Sequence, residues 1–232
     1  MNVTIPESPD PDYERFAKLA SPSPLDWLDG LDLHGGRVLH AGCGSGATTI
    51  GLTKWFDEIV ATDYTEALIA KARSAHPHSK IEYLNVSFVN YSDSTSFDLI
   101  FIYMTLHDLV GDEFGKALNN VKKLVRPGGT IVIVDRIVDR PWLSYLQCFA
   151  DAITNLPGDV ARLGAKDALW LLRYRVRPSR MAHQACDVHL TGDEFLRCYR
   201  SAFPGSVFRS KAHDRAVIWR KPVQGGDEKV AR

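Results

Sequence analysis

The stretch from Arg37 to Thr49 reads RVLHAGCGSGATT and decides the fold. A short apolar run meets three glycines at alternating positions, Gly42, Gly44 and Gly46, before a helical pattern begins. Because glycine has no Cβ, these positions can adopt positive φ angles and let a ligand approach the backbone closely. The stretch therefore predicts a strand, a tight turn and a helix N-terminus, where the amides favour a polar or anionic ligand group.

A second apolar run, EIVATD, ends in an acid at Asp63. The separation of Gly42 from Asp63 is the one expected between a glycine turn and a ribose-binding carboxylate. A carboxylate suits this role because it only accepts hydrogen bonds and both ribose hydroxyls can donate them. The alternative is that Asp63 is a helix N-terminal acid placed just before Thr65.

Four segments of the chain resemble one known family. VLHAGCGSG resembles the first motif of class I S-adenosylmethionine-dependent methyltransferases, commonly written V-L-D-x-G-C-G-x-G, and IVATDYTEALIAKAR resembles their ribose-binding segment. FDLIFIYMTLHDL is similar to the family's fourth strand, and VKKLVRPGGTIVIVD to the helix, Pro-Gly-Gly turn and fifth strand that follow. The resemblance covers roughly residues 37–136 in the family's order. It implies an enzyme that uses S-adenosylmethionine and releases S-adenosylhomocysteine.

Two positions depart from the family pattern. His40 stands where the family usually has an acid that organises the glycine loop, and Ser87 stands near where an acid often helps to hold the adenine. These departures bear on the affinity for the cofactor and leave the fold unaffected. By position, the resemblance implies cofactor contacts at His40, Gly42, Cys43, Gly44, Gly46, Asp63, Tyr64, Ser87, Phe88 and Tyr103.

The apolar pattern alternates between strand and helix, which predicts a parallel sheet covered on both faces. We expect a single α/β domain with a Rossmann-like, doubly wound, mostly parallel sheet. A C-terminal antiparallel hairpin, Val207 to Lys211 and Ala216 to Arg220, would close it. The predicted parts are a flexible lead-in (1–12), N-terminal helices (13–33), a cofactor-binding core (37–136), a variable lid and substrate region (140–190), a closing helix and hairpin (191–220) and a disordered tail (222–232).

Charge and composition restrict the partners. Lys and Arg together number 28, as do Asp and Glu, so no overall field draws the chain to nucleic acid or to an anionic membrane. The apolar runs are too short to span a bilayer. The four cysteines show no C-x-x-C spacing, which predicts reduced thiols, no metal site and a cytoplasmic setting. We therefore expect a small-molecule substrate and a monomer or homodimer.

The chemistry is expected outside the carboxyl ends of the strands, where open α/β sheets bind ligands. His107 follows the fourth predicted strand, and histidine titrates near neutral pH. We predict that His107 removes the acceptor's proton or orients the acceptor, with Asp108 as a neighbour that could orient its ring. The alternative is a histidine that caps a turn. The predicted substrate contacts are His107, Arg136, Trp142, Tyr145 and His183, with helix packing as the alternative for the aromatic residues.

The segment LLRYRVRPSR, residues 171–180, concentrates positive charge. In extended form it would place Arg173, Arg175 and Arg177 on one face. We interpret this segment first as a face exposed to solvent. An acidic substrate or a partner helix bound there is the second interpretation. Nucleic acid binding is the third, because the charge balance elsewhere in the chain is neutral.

The residues and the resemblance together predict methyl transfer to a hydroxyl or amine of a metabolite or natural product by in-line displacement. One alternative is a nicotinamide-dependent oxidoreductase, since Gly42, Gly44 and Ala47 also satisfy the dinucleotide pattern. Another is a protein of the same fold that binds the cofactor without methyl transfer, as a cyclase or a binding protein.

Overall fold

The computed structural model describes residues 12–19, 23–33, 35–109, 111–138, 144–180, 190–211 and 213–223. The strands are β1 (Arg37–Ala41), β2 (Glu58–Asp63), β3 (Ile81–Asn85), β4 (Phe97–Tyr103), β5 (Val125–Arg136), β6 (Val207–Lys211) and β7 (Asp214–Arg220). The helices are α1 (Tyr13–Leu19), α2 (Thr49–Leu52), α3 (Glu66–Ala75), α4 (Asp112–Leu124), α5 (Ser144–Thr154), α6 (Leu156–Leu163), α7 (Ala165–Arg175) and α8 (Gly192–Ala202). Short 3-10 turns cover Pro24–Trp27 and Leu106–Asp108.

The seven strands form one sheet in the order β3-β2-β1-β4-β5-β7-β6. The first five strands run parallel to one another, and β7 runs antiparallel to both β5 and β6. The sheet therefore confirms the predicted Rossmann-like fold with its closing antiparallel hairpin. Its parallel part brings the carboxyl ends of β1, β2, β4 and β5 to one edge.

Both faces of the sheet are apolar because helices cover both. Leu39 and Ile100 belong to a core cluster that includes residues of α4 and α8. Val38 and Leu99 point to the other face, where their cluster includes Trp27. Successive residues of a strand alternate between the faces, so strands buried on both sides read as continuous apolar runs.

Two predicted helices are shorter in the structure than their patterns suggested. The second N-terminal helix is only the 3-10 turn Pro24–Trp27, which begins with a capping box at Ser23. Lys211 donates to the backbone carbonyl of Asp26, so this turn is attached to the edge strand β6. The helix after the glycine turn ends at Leu52, although its apolar pattern runs on to Trp55 and Phe56. Tertiary packing of a few large side chains, rather than helix length, accounts for these apolar patterns.

The structure divides the helical region before the basic segment. The apolar pattern predicts one helix between Asp159 and Leu172, but Gly164, with a φ of 81°, separates α6 from α7. Because α7 continues to Arg175, the extended form that would align the arginines of residues 171–180 is not adopted there. Arg175 pairs with the buried Asp159, and Arg177 pairs with Asp12 at 2.6 Å. These two arginines are therefore occupied within the fold.

Helix α1 packs on α7. Phe16 stacks on Tyr174 with ring centroids 4.8 Å apart, and Arg15 pairs with Asp167 at 2.8 Å. Arg162 of α6 also donates to the carbonyl oxygen at the end of α1. These contacts make α1, α6 and α7 one helical layer, so the first predicted N-terminal helix is confirmed and its packing partner is the insertion after β5.

Most of the predicted lead-in and tail lies outside the described residues, as do Trp142 and His183. Within the described part of the chain, the structure contains no helix that is long and apolar enough to cross a membrane.

Candidate functional site

The glycine turn after β1 has the predicted geometry. Gly42, Gly44 and Gly46 have φ angles of 73°, 55° and 80°. A Cβ at Gly42 would lie 2.3 Å from the Thr105 hydroxyl oxygen, so the turn packs directly against the segment that follows β4. A Cβ at Gly44 would meet nothing within 4 Å. Gly42 is therefore needed for packing, whereas the backbone at Gly44 is open to a ligand.

Asp63 joins the glycine turn to the start of α3. Its Oδ2 accepts a hydrogen bond from the Gly44 amide and its Oδ1 accepts one from the Thr65 amide, each at 2.9 Å. The side-chain amide of Asn85 donates to the Asp63 carbonyl at 3.1 Å. A carboxylate has about four lone-pair sites, so these two bonds leave capacity for further donors. Asp63 thus acts as the helix-start acid and still has the acceptors that a ribose needs.

His40 lies beneath the glycine turn and is only 2% exposed. Its Nδ1 is 2.8 Å from the Thr49 hydroxyl, and its ring stacks on Phe101 with centroids 5.4 Å apart. Burial lowers the pKa of His40 to about 4, because a charged imidazole would lose its hydration there. His40 is therefore neutral at pH 7 and holds β1 to the first residue of α2.

The remaining residues predicted to contact the cofactor occupy different environments. Cys43 is buried, and burial together with the nearby charge of Asp63 raises the pKa of its thiol, so it stays protonated. Tyr64 is 56% exposed next to Asp63, and Tyr103 is partly buried at the end of β4. Ser87 Oγ lies 3.4 Å from the Val89 amide, and Phe88 belongs to the core cluster. A cofactor contact by each of these residues stays a prediction.

These residues fit the adenosyl cofactor that the sequence resemblance implies. The open backbone at Gly44 provides room for a ligand, and the Asp63 carboxylate beside it keeps acceptor capacity. Within the described residues, no group of three or more His, Cys, Asp or Glu side chains could hold a metal ion.

A histidine and an aspartate meet at the carboxyl ends of β4 and β5. His107 Nδ1 is 2.6 Å from Asp135 Oδ1, and the two side chains are only 11% and 9% exposed. The Arg136 amide donates to the same carboxylate oxygen at 3.0 Å. With the proton on Nδ1 directed to Asp135, Nε2 is the ring atom that carries the lone pair of the neutral imidazole. The pair can therefore accept a proton at Nε2 and stabilise the resulting charge.

Asp135 was not predicted as the partner of His107. The expected partner was Asp108, which ends the same 3-10 turn and whose side chain is not described. The sequence does contain a signal for Asp135, because this acid directly follows the apolar run IVIV of β5, at the edge of the sheet where ligands bind. Pairing residues 28 positions apart requires the β4–β5 register, which the sequence pattern does not provide.

Met104 turns the chain away from β4 and toward this pair. Its φ is 52°, the only positive value at a non-glycine position in the described part of the chain. Its amide donates to the Val134 carbonyl at 2.8 Å, which holds the turn against β5. Strained backbone of this kind is common at functional sites.

Arg136 lies on the opposite face of the sheet from Asp135, because successive strand residues alternate. Its Nε is 3.4 Å from Asp214 Oδ1 on β7. Burial raises the pKa of Asp214, and the charge of Arg136 partly offsets this. The structure therefore places His107 two residues after Thr105, which packs against the glycine turn, and places Arg136 in a separate ion pair. Tyr145 lies in α5, and its side chain is not described.

Among the cavities that open on the described surface are the following two. One of about 430 Å³ lies against α3 and β3, away from the residues discussed above. The other, of about 530 Å³, lies beyond the end of β5, and is lined by Ile137, Thr191, Gly192, Asp193, Leu196 and Arg215.

Comparisons with known proteins bear on the family and the fold. A family model described as a methyltransferase domain matches residues 39–133, the segment that contains the glycine turn, Asp63 and His107. Among curated proteins, none matches the sequence significantly.

Three similar solved structures illustrate the likeness in fold. DhpI in complex with S-adenosylhomocysteine (SAH) has a TM-score of 0.61 at 16% identity, over 91% of this chain and 88% of that chain. A putative S-adenosyl-L-methionine-dependent methyltransferase from Methanococcus maripaludis has a TM-score of 0.62 at 15% identity, over 93% of both chains. Phosphoethanolamine N-methyltransferase 1 of Haemonchus contortus, with phosphoethanolamine and S-adenosylhomocysteine, has 0.62 at 17% identity, over 96% of this chain and 48% of that one. At identities this low, the structural likeness shows a shared fold alone.

Proposed function

We propose that this chain, whose residues 39–133 match a methyltransferase domain, is a class I S-adenosylmethionine-dependent methyltransferase that methylates a hydroxyl or amine of a small molecule with His107 as the base. When bound, the cofactor supplies an electrophilic methyl group on a sulfonium. The observation that carries the proposal is the His107–Asp135 pair beside the glycine turn.

The chain holds the cofactor through the glycine turn and the end of β2. The remaining acceptor sites of Asp63 would receive the two ribose hydroxyls, and the open backbone at Gly44 would leave room for the ligand. Because the Gly44 amide is bonded to Asp63, the turn and the carboxylate are positioned before the ligand arrives. Preorganisation of this kind reduces the cost of ordering on binding.

His107 removes the proton that a hydroxyl or amine loses on methylation. The bond to Asp135 orients the ring and stabilises the imidazolium that forms, as in other His–Asp pairs. General base catalysis contributes about 100-fold to 10,000-fold. Alignment of the reacting atoms contributes up to roughly 7 to 11 kcal/mol in favourable cases, so positioning supplies much of the remaining rate.

A small acceptor is favoured over a macromolecule by the surface charges. The chain has 28 acidic and 28 basic side chains, and Arg175 and Arg177 of its basic segment pair with acids of the fold. Nucleic acid binding requires a broad basic surface. The insertion after β5 also reaches the end of the sheet. Asp151 of α5 contacts His213, the residue before β7, at 3.2 Å.

The test compares His107→Gln with the unmodified protein and with His78→Gln. His78 is an exposed histidine between α3 and β3. Formation of S-adenosylhomocysteine is measured with a panel of small hydroxyl and amine acceptors, and products are identified by mass spectrometry. We expect kcat to fall about 100-fold or more in His107→Gln. Cofactor affinity should stay within twofold, and His78→Gln should behave as the unmodified protein.

Two results would contradict the proposal. Full kcat in His107→Gln would exclude His107 as the base. Tight cofactor binding without methylation of any acceptor in the panel would favour the alternative of a cofactor-binding protein that does not transfer methyl groups.

A further inference from the structure

Thr105 lies between the glycine turn and the proposed base. It follows the end of β4 by two residues and precedes His107 by two. We propose that Thr105 is a positioning residue, which fixes the place of His107 relative to the glycine turn. The importance of this placement for methyl transfer rests on the proposed function, in which His107 is the base. The placement itself is a property of the chain alone.

The side chain of Thr105 occupies the space beside Gly42. The three atoms nearest to a Cβ built on Gly42 all belong to Thr105, with Oγ1 at 2.3 Å, Cγ2 at 2.4 Å and Cβ at 2.8 Å. Gly42 is in turn attached to β2, because its amide donates to the Thr62 carbonyl at 2.8 Å. The side chain of Thr105 therefore sets the distance between the segment after β4 and a backbone position that the sheet already holds.

The hydroxyl of Thr105 fixes the chain before it. Thr105 is the N-cap residue of the 3-10 turn Leu106–Asp108, a position where a threonine side chain usually accepts a bond from the turn that follows. No such bond is made, and Oγ1 instead donates to the Tyr103 carbonyl at 3.0 Å. This bond spans Met104, whose φ of 52° is uncommon for a residue with a side chain. The hydroxyl therefore stabilises the sharp turn that leads the chain away from β4.

The neighbours of Thr105 are held on both faces of the sheet. Met104 packs against one core cluster, and Leu106, which is 1% exposed, belongs to the cluster on the other face. His107 comes directly after Leu106, and its Nδ1 is 2.6 Å from Asp135 Oδ1. Because protein interiors are close-packed, a segment with these anchors has little freedom to move. Among these contacts, the one made by Thr105 relates His107 to the glycine turn.

The distance between the base and the glycine turn matters because the two parts serve one reaction. The glycine turn is the proposed cofactor site, and His107 acts on the acceptor that receives the methyl group. Misplacing a reacting group by about 1 Å can cost about 100-fold in rate. Threonine suits the role of a spacer, because its branched Cβ restricts the side chain to few rotamers.

The first measurement needs neither cofactor nor acceptor. Imidazole nitrogen NMR of the ligand-free protein, at a pH where the ring is neutral, reports which ring nitrogen of His107 carries the proton, and His107→Gln assigns the signal. We expect the Nδ1–H tautomer in the unmodified protein, since Nδ1 lies 2.6 Å from Asp135 Oδ1. We expect a mixture of tautomers in Thr105→Ala, because a ring that shifts away from Asp135 loses the acceptor that selects one of them.

The second measurement separates rate from binding, with an acceptor identified from the panel described above. We expect kcat of Thr105→Ala to fall about 10-fold to 100-fold. The affinity for S-adenosylhomocysteine, measured by calorimetry, should stay within about threefold, because the Asp63 carboxylate and the Gly44 amide are unchanged. Urea unfolding establishes that each variant is folded under the assay conditions, so a fall in kcat reports the folded protein.

Two further variants separate the parts of the Thr105 side chain. Thr105→Ser keeps the hydroxyl and its bond to the Tyr103 carbonyl, so we expect the Nδ1–H tautomer of His107 and at least about a third of kcat. Thr105→Val keeps the shape against Gly42 and loses that bond, so we expect the mixture of tautomers and the lower kcat. It also serves as the test if Thr105→Ala does not fold.

The matched control is Thr53→Ala. The Thr53 hydroxyl also donates to a backbone carbonyl, that of Ile50, at 2.7 Å. Thr53 lies two residues before Trp55, whose carbonyl accepts from the Gly35 amide ahead of β1, so it is at the opposite end of the sheet from His107. We expect Thr53→Ala to match the unmodified protein in both the His107 tautomer and kcat.

The outcomes separate this inference from the proposed function. The unmodified tautomer and kcat in folded Thr105→Ala and Thr105→Val would overturn the inference, even if both variants were less stable, because Thr105 would then serve packing alone. His107 would still stand as the base in that case. A tautomer that depends on Thr105, in a protein whose His107→Gln variant keeps full kcat, would support the positioning role and contradict the proposed function alone.

Discussion

His40 makes the stability of this protein sensitive to mild acid. Burial lowers the pKa of His40 to about 4 from an ordinary value of 6.5. Between these two values the unfolded chain binds a proton at this residue and the folded chain does not, so stability falls as the pH is lowered. The free energy changes by about 1.4 kcal/mol for each pH unit in that interval, which amounts to about 3 kcal/mol by pH 4.

The assay is urea unfolding at pH 7 and pH 4 for the unmodified protein and for His40→Gln. Other groups titrate over the same range, so the informative quantity is the difference between the two proteins. We expect the unmodified protein to lose about 3 kcal/mol more than His40→Gln on acidification. His78→Gln removes an exposed histidine, and it should lose as much unfolding free energy on acidification as the unmodified protein.

Equal acid losses in the unmodified protein and in His40→Gln would refute this reasoning. Such a result would mean that His40 is protonated in the folded state. His40→Phe provides a second variant that keeps an aromatic ring against Phe101 and removes the titrating group.

Three further predictions concern the cofactor turn and the helical layer. Asp63→Ala should weaken S-adenosylhomocysteine binding about 5-fold to 150-fold in calorimetry, because the ribose hydroxyls lose their acceptor; unchanged affinity would exclude the ribose role. Gly42→Ala should lower the unfolding free energy by about 2 to 5 kcal/mol, because its Cβ meets Thr105 at a positive φ. Gly44→Ala, with open space at its Cβ, should cost only about 1 to 2 kcal/mol in unfolding and chiefly reduce cofactor affinity; equal losses for the two glycines would contradict the packing argument. Asp159→Asn should cost about 2 kcal/mol, measured by thermal or urea unfolding, because Arg162 and Arg175 lose a buried carboxylate; a neutral result would show that these pairs contribute nothing.

The sheet could be predicted from local patterns. Strands β1, β2 and β4 are mostly buried and end at turn residues, so they coincide with the apolar runs RVLHA, EIVATD and FDLIFIY of the sequence. The capping box at Thr191 and Glu194 also marks the start of α8 from local residues alone. Each of these signals lies within one element or at its boundary.

The features that were missed depend on residues distant in the sequence. α7 continues past the predicted helix end at Leu172 to Arg175, which pairs with Asp159. β5 begins at Val125 and includes the Pro-Gly-Gly segment, because Val125 pairs with Phe97 before the register shifts. The partner of His107 was missed for the same reason, since Asp135 comes from another strand.

The position of β7 has a consequence for the order in which the chain can fold during synthesis. β7 is the last of the described strands in the sequence, but it lies between β5 and β6 in the sheet. Until residue 220 has left the ribosome, the edge of β5 therefore has no partner, and β6 has no place in the sheet. A nascent chain that stalls earlier presents the apolar row of β5 with free backbone donors and acceptors, which is a template for association with other chains. Completion of this enzyme's sheet is thus tied to the last steps of translating its core, and ribosome stalling before β7 would be expected to produce aggregates rather than a partly active domain.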